Sequence, residues 1–228
     1  MSRGTVKRTE ETGGRRAHLS KDRVLTAALH LADRLGVDSL SMRKIAAELN
    51  VQAMSLYNHV ANKNEILDGL VELLVTEIEV PSPDEDWKVA MRRRGRSAHE
   101  ALLRHPWAII TMITRASAGP NMLRYLDATL GCLRKAGFSY EVADHARNAM
   151  DNHIYGFTLQ EVNFPFEVPE YADTAREFLP GIHTKDYPYF SQLATLVMER
   201  RYSGVHDFEF GLKLILDGLE AYRRKAER

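Results

Sequence analysis

The feature that most constrains the fold is the helical spacing of apolar residues along almost the whole chain. Ile66, Leu70 and Leu74 recur at every fourth position, and comparable runs follow one another through the sequence. Convincing alternation of apolar and polar residues, the pattern of a half-buried strand, is not found. The sequence therefore predicts an all-α fold, and 228 residues suffice for a small module and a larger body.

Helix signals divide the first third of the chain into four helices. The first follows Ser20, a good N-cap residue, and ends before Gly36; its apolar stripe is Val24, Leu25, Ala28, Leu31, Ala32 and Leu35. Ser41 can cap a short second helix, and Asn50 tolerates the left-handed conformation of a sharp turn. The pattern then predicts a third short helix over residues 52–60 and a long fourth helix over 63–78.

The remaining sequence predicts a helical body. The expected helices cover residues 84–104, 107–118, 120–136, 140 to about 163, 190–202 and 206–225. Between them, residues 164–190 contain Pro165, Pro169, Pro180 and Pro188, which indicates a loop region around one short helix near 171–178.

Composition favours a cytoplasmic protein, associated with the nucleoid when it is bound to DNA. The one cysteine, Cys132, allows no internal disulfide, which is typical of a reducing compartment. No apolar run approaches the ~20 residues of a membrane-spanning helix, and the polar N-terminal residues do not form a signal core. We therefore expect no membrane partner.

The net charge of zero hides an asymmetry between the two ends. Residues 1–64 carry eleven Lys and Arg against six acidic residues, a net +5, so the rest of the chain totals −5. A basic head on an acidic body suits docking of one face on phosphates. Residues 1–18 are predicted to form a flexible basic arm, in which Arg15 and Arg16 either enter a minor groove or remain solvated.

The segment 41–60 carries the functional prediction. Two short helices joined by a tight turn can place the second one in the ~12 Å wide major groove, where base edges are distinguishable. Leu56 and Val60 fall on the inner side of the second helix, whereas Asn58 and His59 fall on the outer side. In isolation, the same pattern also fits an ordinary helical hairpin of a soluble bundle.

Residues Leu40–Leu67 resemble the DNA-binding domain of bacterial TetR-family regulators. Their sequence is LSMRKIAAELNVQAMSLYNHVANKNEIL. The strong resemblance covers about residues 20–75, and a weaker one continues through the body. It implies a ligand-responsive repressor that binds a palindromic operator as a homodimer. It also implies four parts: the arm at 1–18, a helix-turn-helix domain at 19–64, a connecting helix at 65–80, and a ligand-binding and dimerisation domain at 81–228.

The resemblance assigns roles that the side-chain chemistry permits. Tyr57 and Lys63 would hold phosphates and fix the register without reading sequence. Ser55 and Asn58 would reach bases, and His59 would reach bases or phosphate. Arg43 would donate hydrogen bonds to a guanine, and Ala53 and Met54 would contact thymine methyl groups. With Ser41, the predicted DNA-binding residues are Ser41, Arg43, Ala53, Met54, Ser55, Tyr57, Asn58, His59 and Lys63.

The dimer contact is expected on the helices near 141–160 and 208–222, which the resemblance places in an intersubunit four-helix bundle. Their apolar stripes also fit intramolecular core. An unknown small-molecule inducer is expected in the body. Its predicted pocket residues are Trp107, Met112, Met122, Tyr125, Asn148, Asp151, Asn152, Tyr155 and Gln160.

Other classes of protein fit the sequence less well. Tetracycline repressors hold a magnesium–drug chelate with a histidine and a glutamate. An ungapped comparison places Met112 and Gln160 near those two positions, so the chelate site is expected to be absent. We expect no metal and no cofactor. No catalytic motif occurs, and neighbours such as Asp144 and His145 point about 100° apart on a helix, so we predict no enzyme. An architectural DNA-binding protein remains an alternative, which the acidic body disfavours.

Overall fold

The computed structural model describes residues 18–115, 119–165, 168–178, 184–204 and 207–226. Within these residues the chain forms helices and no strand, which confirms the predicted all-α fold. The helices are α1 Lys21–Leu35, α2 Met42–Glu48, α3 Ala53–Leu56, α4 Lys63–Thr76, α5 Trp87–Arg104, α6 Trp107–Thr114, α7 Pro120–Lys135, α8 Tyr140–Val162, α9 Val168–Phe178, α10 Pro188–Met198 and α11 Phe208–Ala226. The predicted pair Arg15 and Arg16 lies outside the described residues.

Helix α1 begins and ends where its capping residues predict. The Ser20 hydroxyl accepts a hydrogen bond from the Arg23 amide at 3.3 Å, and Gly36 ends the helix at a positive φ of 76°. The expected apolar stripe is buried except for Leu35, which is 54% exposed. Leu35 is the last residue of the helix and lies beyond Ala32, the last buried residue of the stripe.

The turn between α2 and α3 depends on a single residue. Asn50 adopts a φ of 53°, and the next residue, Val51, packs against the core of the head. Helix α3 is shorter than the predicted 52–60. The Tyr57 and His59 amides bond to carbonyls three residues back, at 3.3 and 2.9 Å, so the segment after Leu56 consists of tight turns.

Helix α4 joins the head to the body. Ile66, Leu70 and Leu74 on its buried face are fully withdrawn from solvent. The helix packs against α1 on the head side and against α6 and α7 on the body side. One continuous hydrophobic core therefore runs from the DNA-binding head into the body.

The body is built on α5 and α8, which pack against each other and each against both α7 and α11. Trp87 and Phe138 meet edge to face with ring centroids 5.1 Å apart. At Gly95, a Cβ atom would lie 2.9 Å from a methyl of Leu212, so a larger residue would force this methyl aside. This close approach brings α5 and α11 together.

Helix boundaries in the body differ from the prediction mainly at proline. Pro188 was assigned to a loop, but it occupies the first turn of α10. A proline fits there because its missing N–H has no intrahelical partner at that position. Likewise α9 begins at Val168 and includes Pro169 in its first turn.

We predict that Asn50→Val lowers the free energy of unfolding by about 1–2 kcal/mol, because a β-branched side chain clashes with the left-handed backbone. Asn50→Gly should stay close to the wild type, since glycine adopts this conformation freely. Urea denaturation followed by circular dichroism measures both. Equal stability of the two variants would contradict this account of the turn.

Candidate DNA-reading surface and ligand site

The segment around α3 has two distinct sides. Leu56 and Val60 are buried at 0% and 2% exposure, whereas Met54 is 73% exposed and Tyr57 is 48% exposed. Asn58 is exposed as well. The predicted residues Ala53, Ser55 and His59 are partly exposed. These residues can therefore face a groove while the segment stays anchored to the head.

Helix α2 presents Arg43 and Lys44 to solvent. The Ser41 hydroxyl accepts from the Lys44 amide at 3.3 Å, so its first role is to cap α2. Gln52, the exposed N-cap residue of α3, was not among the predicted DNA-binding residues, nor was Lys44. Both side chains are exposed beside Arg43 and α3.

Lys63 lies at the start of α4, where several contacts fix its position. Its ammonium donates to the Asp38 carbonyl at 3.3 Å. Asn62 caps α4 by accepting from the Glu65 amide at 3.0 Å. The Ala61 amide and Lys21 bond to the Glu65 carboxylate at 2.7 and 2.5 Å, and they hold its pKa below the usual range. Lys63 is therefore held at the edge of the head.

The centre of the body contains a buried ion pair. Arg94 is 0% exposed, and its Nη2 donates to Asp151 at 2.5 Å. Arg147 donates to the other oxygen of the same carboxylate at 3.0 Å. The guanidinium of Arg94 lies 4.8 Å from the ring centre of Tyr125. Helices α5, α7 and α8 thus each contribute a polar side chain to this point.

Two tyrosines beside the ion pair keep their protons. Burial raises the pKa of Tyr125 to about 12. Burial, and then the negative charge of Asp151, also raises the pKa of Tyr155. Both phenols are therefore neutral and can donate a hydrogen bond.

The predicted pocket residues divide into three groups. Tyr125, Asp151 and Tyr155 surround Arg94, and Met112 and Met122 are partly buried against the same core. Asn148, Asn152 and Gln160 are exposed on α8 instead. Trp107 is directed at the head, because its indole N–H donates to Asp33 of α1 at 2.7 Å.

Arg94 was missed by the prediction, although the sequence carries a signal for it. The buried face of α5 runs through Trp87, Met91, Arg94, Ala98 and Leu102. An arginine inside such an apolar stripe is unusual, because charged residues are almost never fully buried unless they are paired.

Polar contacts tie the body to the head at the end of α1. Asp33 accepts from Trp107 and also lies 2.7 Å from Nδ1 of His105. The other ring nitrogen of His105 lies 3.1 Å from Glu77, which follows α4. The junction of α5 and α6 therefore contacts both α1 and the end of α4.

A second set of contacts joins α4 to the body. The Glu72 carboxylate accepts from the backbone amides of Asn121 and Met122 at 2.8 and 3.1 Å, in the first turn of α7. Arg115 donates to Asp68 at 2.8 Å. The residue that follows α6 and the first turn of α7 are therefore bonded directly to α4.

Comparison with known proteins decides the family. Residues 24–70 match the family model described as bacterial regulatory proteins, tetR family, and residues 80–223 match the tetracyclin repressor-like C-terminal domain. The chain belongs to the TetR family. It is a ligand-responsive, DNA-binding transcriptional repressor, and the resemblance seen in the sequence is confirmed.

The similarity to relatives of known function covers most of the chain. The HTH-type transcriptional repressor DrrR1 of Streptomyces coeruleorubidus is 30% identical over 91% of this chain and 79% of its own length. The tetracycline repressor class A from transposon 1721 of Escherichia coli is 33% identical, covering 90% of this chain and 92% of that protein. Streptomyces coelicolor ActR in complex with (S)-DNPA superimposes with a TM-score of 0.76 at 30% identity, over 89% of this chain and 98% of that one.

Two further observations concern partners. No helix of the described chain is long and apolar enough to cross a membrane. Among the described residues, no three His, Cys, Asp or Glu side chains cluster in a way that could hold a metal ion.

We predict that Arg94→Met lowers the free energy of unfolding by about 3–5 kcal/mol, because it leaves Asp151 buried with only one partner. Adding Asp151→Asn should recover part of this loss, since the uncompensated charge is then gone. Chemical denaturation of the wild type, both single variants and the double variant forms a double-mutant cycle. Strictly additive losses would show that the two side chains do not interact.

Proposed function

We propose that two copies of this chain form a homodimer that represses transcription in the cytoplasm by binding a palindromic operator. The observation that carries the proposal is the exposed side of α3 and the following turns, with Leu56 and Val60 buried opposite. Residues 19–64 bind DNA, and residues 81–228 bind the ligand and form the dimer. Residues 65–80 connect these two parts. The proposed arm at 1–18 carries five Lys and Arg against two acidic residues.

The residues on the reading surface fall into two roles. Tyr57 and Lys63 bind phosphates and set the register, since a phenol and an ammonium carry no sequence information there. Ser55, Asn58 and His59 approach the bases from the exposed turns. Of the remaining predicted residues, Arg43 suits guanine O6 and N7, Ala53 and Met54 suit thymine methyls, and Ser41 holds α2 in place.

The dimer contact is supported by unpartnered apolar surface on α11. Phe210, Leu214 and Tyr222 share one face of this helix and are 63%, 58% and 55% exposed. Gly218 completes the face, and a Cβ there would meet no neighbouring atom within 4 Å. The stripe through Phe208 and Leu212, by contrast, is buried in the chain's own core.

Helix α8 offers a matching face. Ala149, Gly156 and Leu159 are exposed on it, with Asn152 between them. Small residues allow two helices to approach closely, and Leu159 adds apolar area. Paired α8 and α11 helices from two subunits would give the four-helix bundle that the family resemblance implies, with the inner stripes serving as intramolecular core.

The small-molecule ligand acts through α4. ActR has been seen with (S)-DNPA and with actinorhodin, and the tetracycline repressors are named for their drug. In this chain, Met122 and Tyr125 lie on α7, whose first turn is bonded to Glu72 of α4. A ligand that moves α7 would tilt α4 and change the separation of the two heads.

Selection from random duplex DNA tests the function as a whole. With purified protein at about 150 mM salt, we expect a palindrome with half-sites one or more helical turns apart. Weak binding without sequence preference would contradict the proposal.

We predict that Tyr57→Phe with Lys63→Ala weakens binding to every DNA sequence alike. The slope of log affinity against log salt should fall by about 1 for each phosphate that the protein no longer neutralises. Lys185→Ala, which removes an exposed lysine of the body, is the matched control and should bind as the wild type. Fluorescence anisotropy across a salt series measures these slopes. Unchanged operator affinity in the double variant would refute the docking surface.

We predict that Leu214→Glu yields a monomer, because it buries a carboxylate in the proposed contact. Operator affinity should then fall about a hundredfold or more, since two linked heads bind much more tightly than one. Val89→Glu, at a valine that is 57% exposed on α5, is the control. Sedimentation velocity reports the mass. A dimeric Leu214→Glu variant would exclude this face.

A further inference from the structure

The guanidinium of Arg94 is fully buried and incompletely satisfied. Its Nη2 bonds to Asp151, but among the described residues neither Nε nor Nη1 has a hydrogen-bond partner. A buried donor without an acceptor is costly, and more so when it is charged. Such an exception indicates that an acceptor belongs at this place.

The negative charge available to Arg94 is shared. Asp151 divides its two oxygens between Arg94 and Arg147, at 2.5 and 3.0 Å. Arg147 has a second carboxylate, Asp144, which is 53% exposed. Arg94 therefore receives part of one carboxylate only, and its other interactions are with the neutral phenols of Tyr125 and Tyr155.

The surroundings also restrict what can bind there. A cation would be repelled by Arg94. A dianion would gain little, because Asp151 already lies against the guanidinium. A single negative charge on an aromatic frame fits better, since the ring of Tyr125 lies beside the guanidinium and can contact an aromatic group.

We propose that Arg94 anchors a monoanionic aromatic ligand through its carboxylate. The inference rests on the proposed function, because it names the chemistry of the ligand that the body binds. The carboxylate accepts from the free donors of Arg94, and a tyrosine hydroxyl at position 125 or 155 can donate to it.

The test uses acids and their neutral amides as matched probes. Benzoate is compared with benzamide, and 2-naphthoate with 2-naphthamide, by calorimetric titration of the full-length protein. We expect each acid to bind about tenfold to a hundredfold more tightly than its amide, as for a hydrogen bond to a charged group. The acids should also shift the ¹⁵Nε–H resonance of Arg94, which is assigned by its loss in Arg94→Met.

Three variants separate ligand binding from folding. Asp151→Asn removes the competing carboxylate and should tighten 2-naphthoate binding about tenfold, whereas a purely structural pair predicts no gain. Arg94→Met combined with Asp151→Asn should bind acid and amide equally. Asp144→Asn removes only the exposed partner of Arg147 and should match the wild type.

The outcomes are distinguishable from failure of the proposed function. Operator binding is measured on the same preparations, so a repressor that binds its palindrome but ignores the acids overturns only the role of Arg94. If acids and amides bind equally to the wild type, or no acid shifts the Arg94 resonance, water satisfies these donors and the proposal is wrong. Loss of the palindrome itself would overturn the function instead.

Discussion

The buried face of α4 is the constraint on which the rest of the structure depends. Ile66, Leu70 and Leu74 are inaccessible to solvent, and each contributes about 1.5–3 kcal/mol by leaving water. Since a domain of this kind is stable by only about 5–15 kcal/mol, the head cannot detach from α4 at small cost. The orientation of the reading surface is therefore set by how α4 lies on α6 and α7.

The polar contacts on the other faces of α4 act differently from this apolar core. Glu72 holds the first turn of α7, Arg115 holds Asp68, and Glu77 meets His105. Because these charged groups are partly exposed to solvent, such contacts contribute about 0.2–1 kcal/mol each, less than the buried side chains do. In the proposed mechanism, a ligand would rearrange these contacts without unfolding the helix.

The sequence predicted the head better than the body, for physical reasons. Ser20, Gly36, Ser41 and Asn50 act within one turn of the chain, so local chemistry alone determines their roles. The exposed side of α3 also follows from periodicity. Local sequence could not predict contacts that depend on the fold: the Trp107 indole donates to Asp33 of α1 because α6 begins beside the head.

The body shows the same limit more strongly. Arg94 stands in an apolar stripe of α5, but its partner Asp151 is 57 residues away and no local rule connects them. Likewise, periodicity could not divide α11 between an inner stripe at Leu212 and an outer one at Leu214. Both sides are apolar, so only the packed structure shows which of them remains uncovered.

The free energy needed to release the protein from its operator favours a dimer that binds two ligands. Shifting a protein from 1:99 to 99:1 between two states requires about 5.5 kcal/mol of differential binding. A hydrogen bond to one charged group supplies about 1.5–3 kcal/mol, even if it forms only in the released state. One anion on Arg94 is therefore not sufficient by that bond alone. In the proposed dimer, two equivalent sites coupled through the four-helix bundle would together approach the required free energy. The symmetry that matches a palindromic operator would then also allow a small molecule to release the DNA.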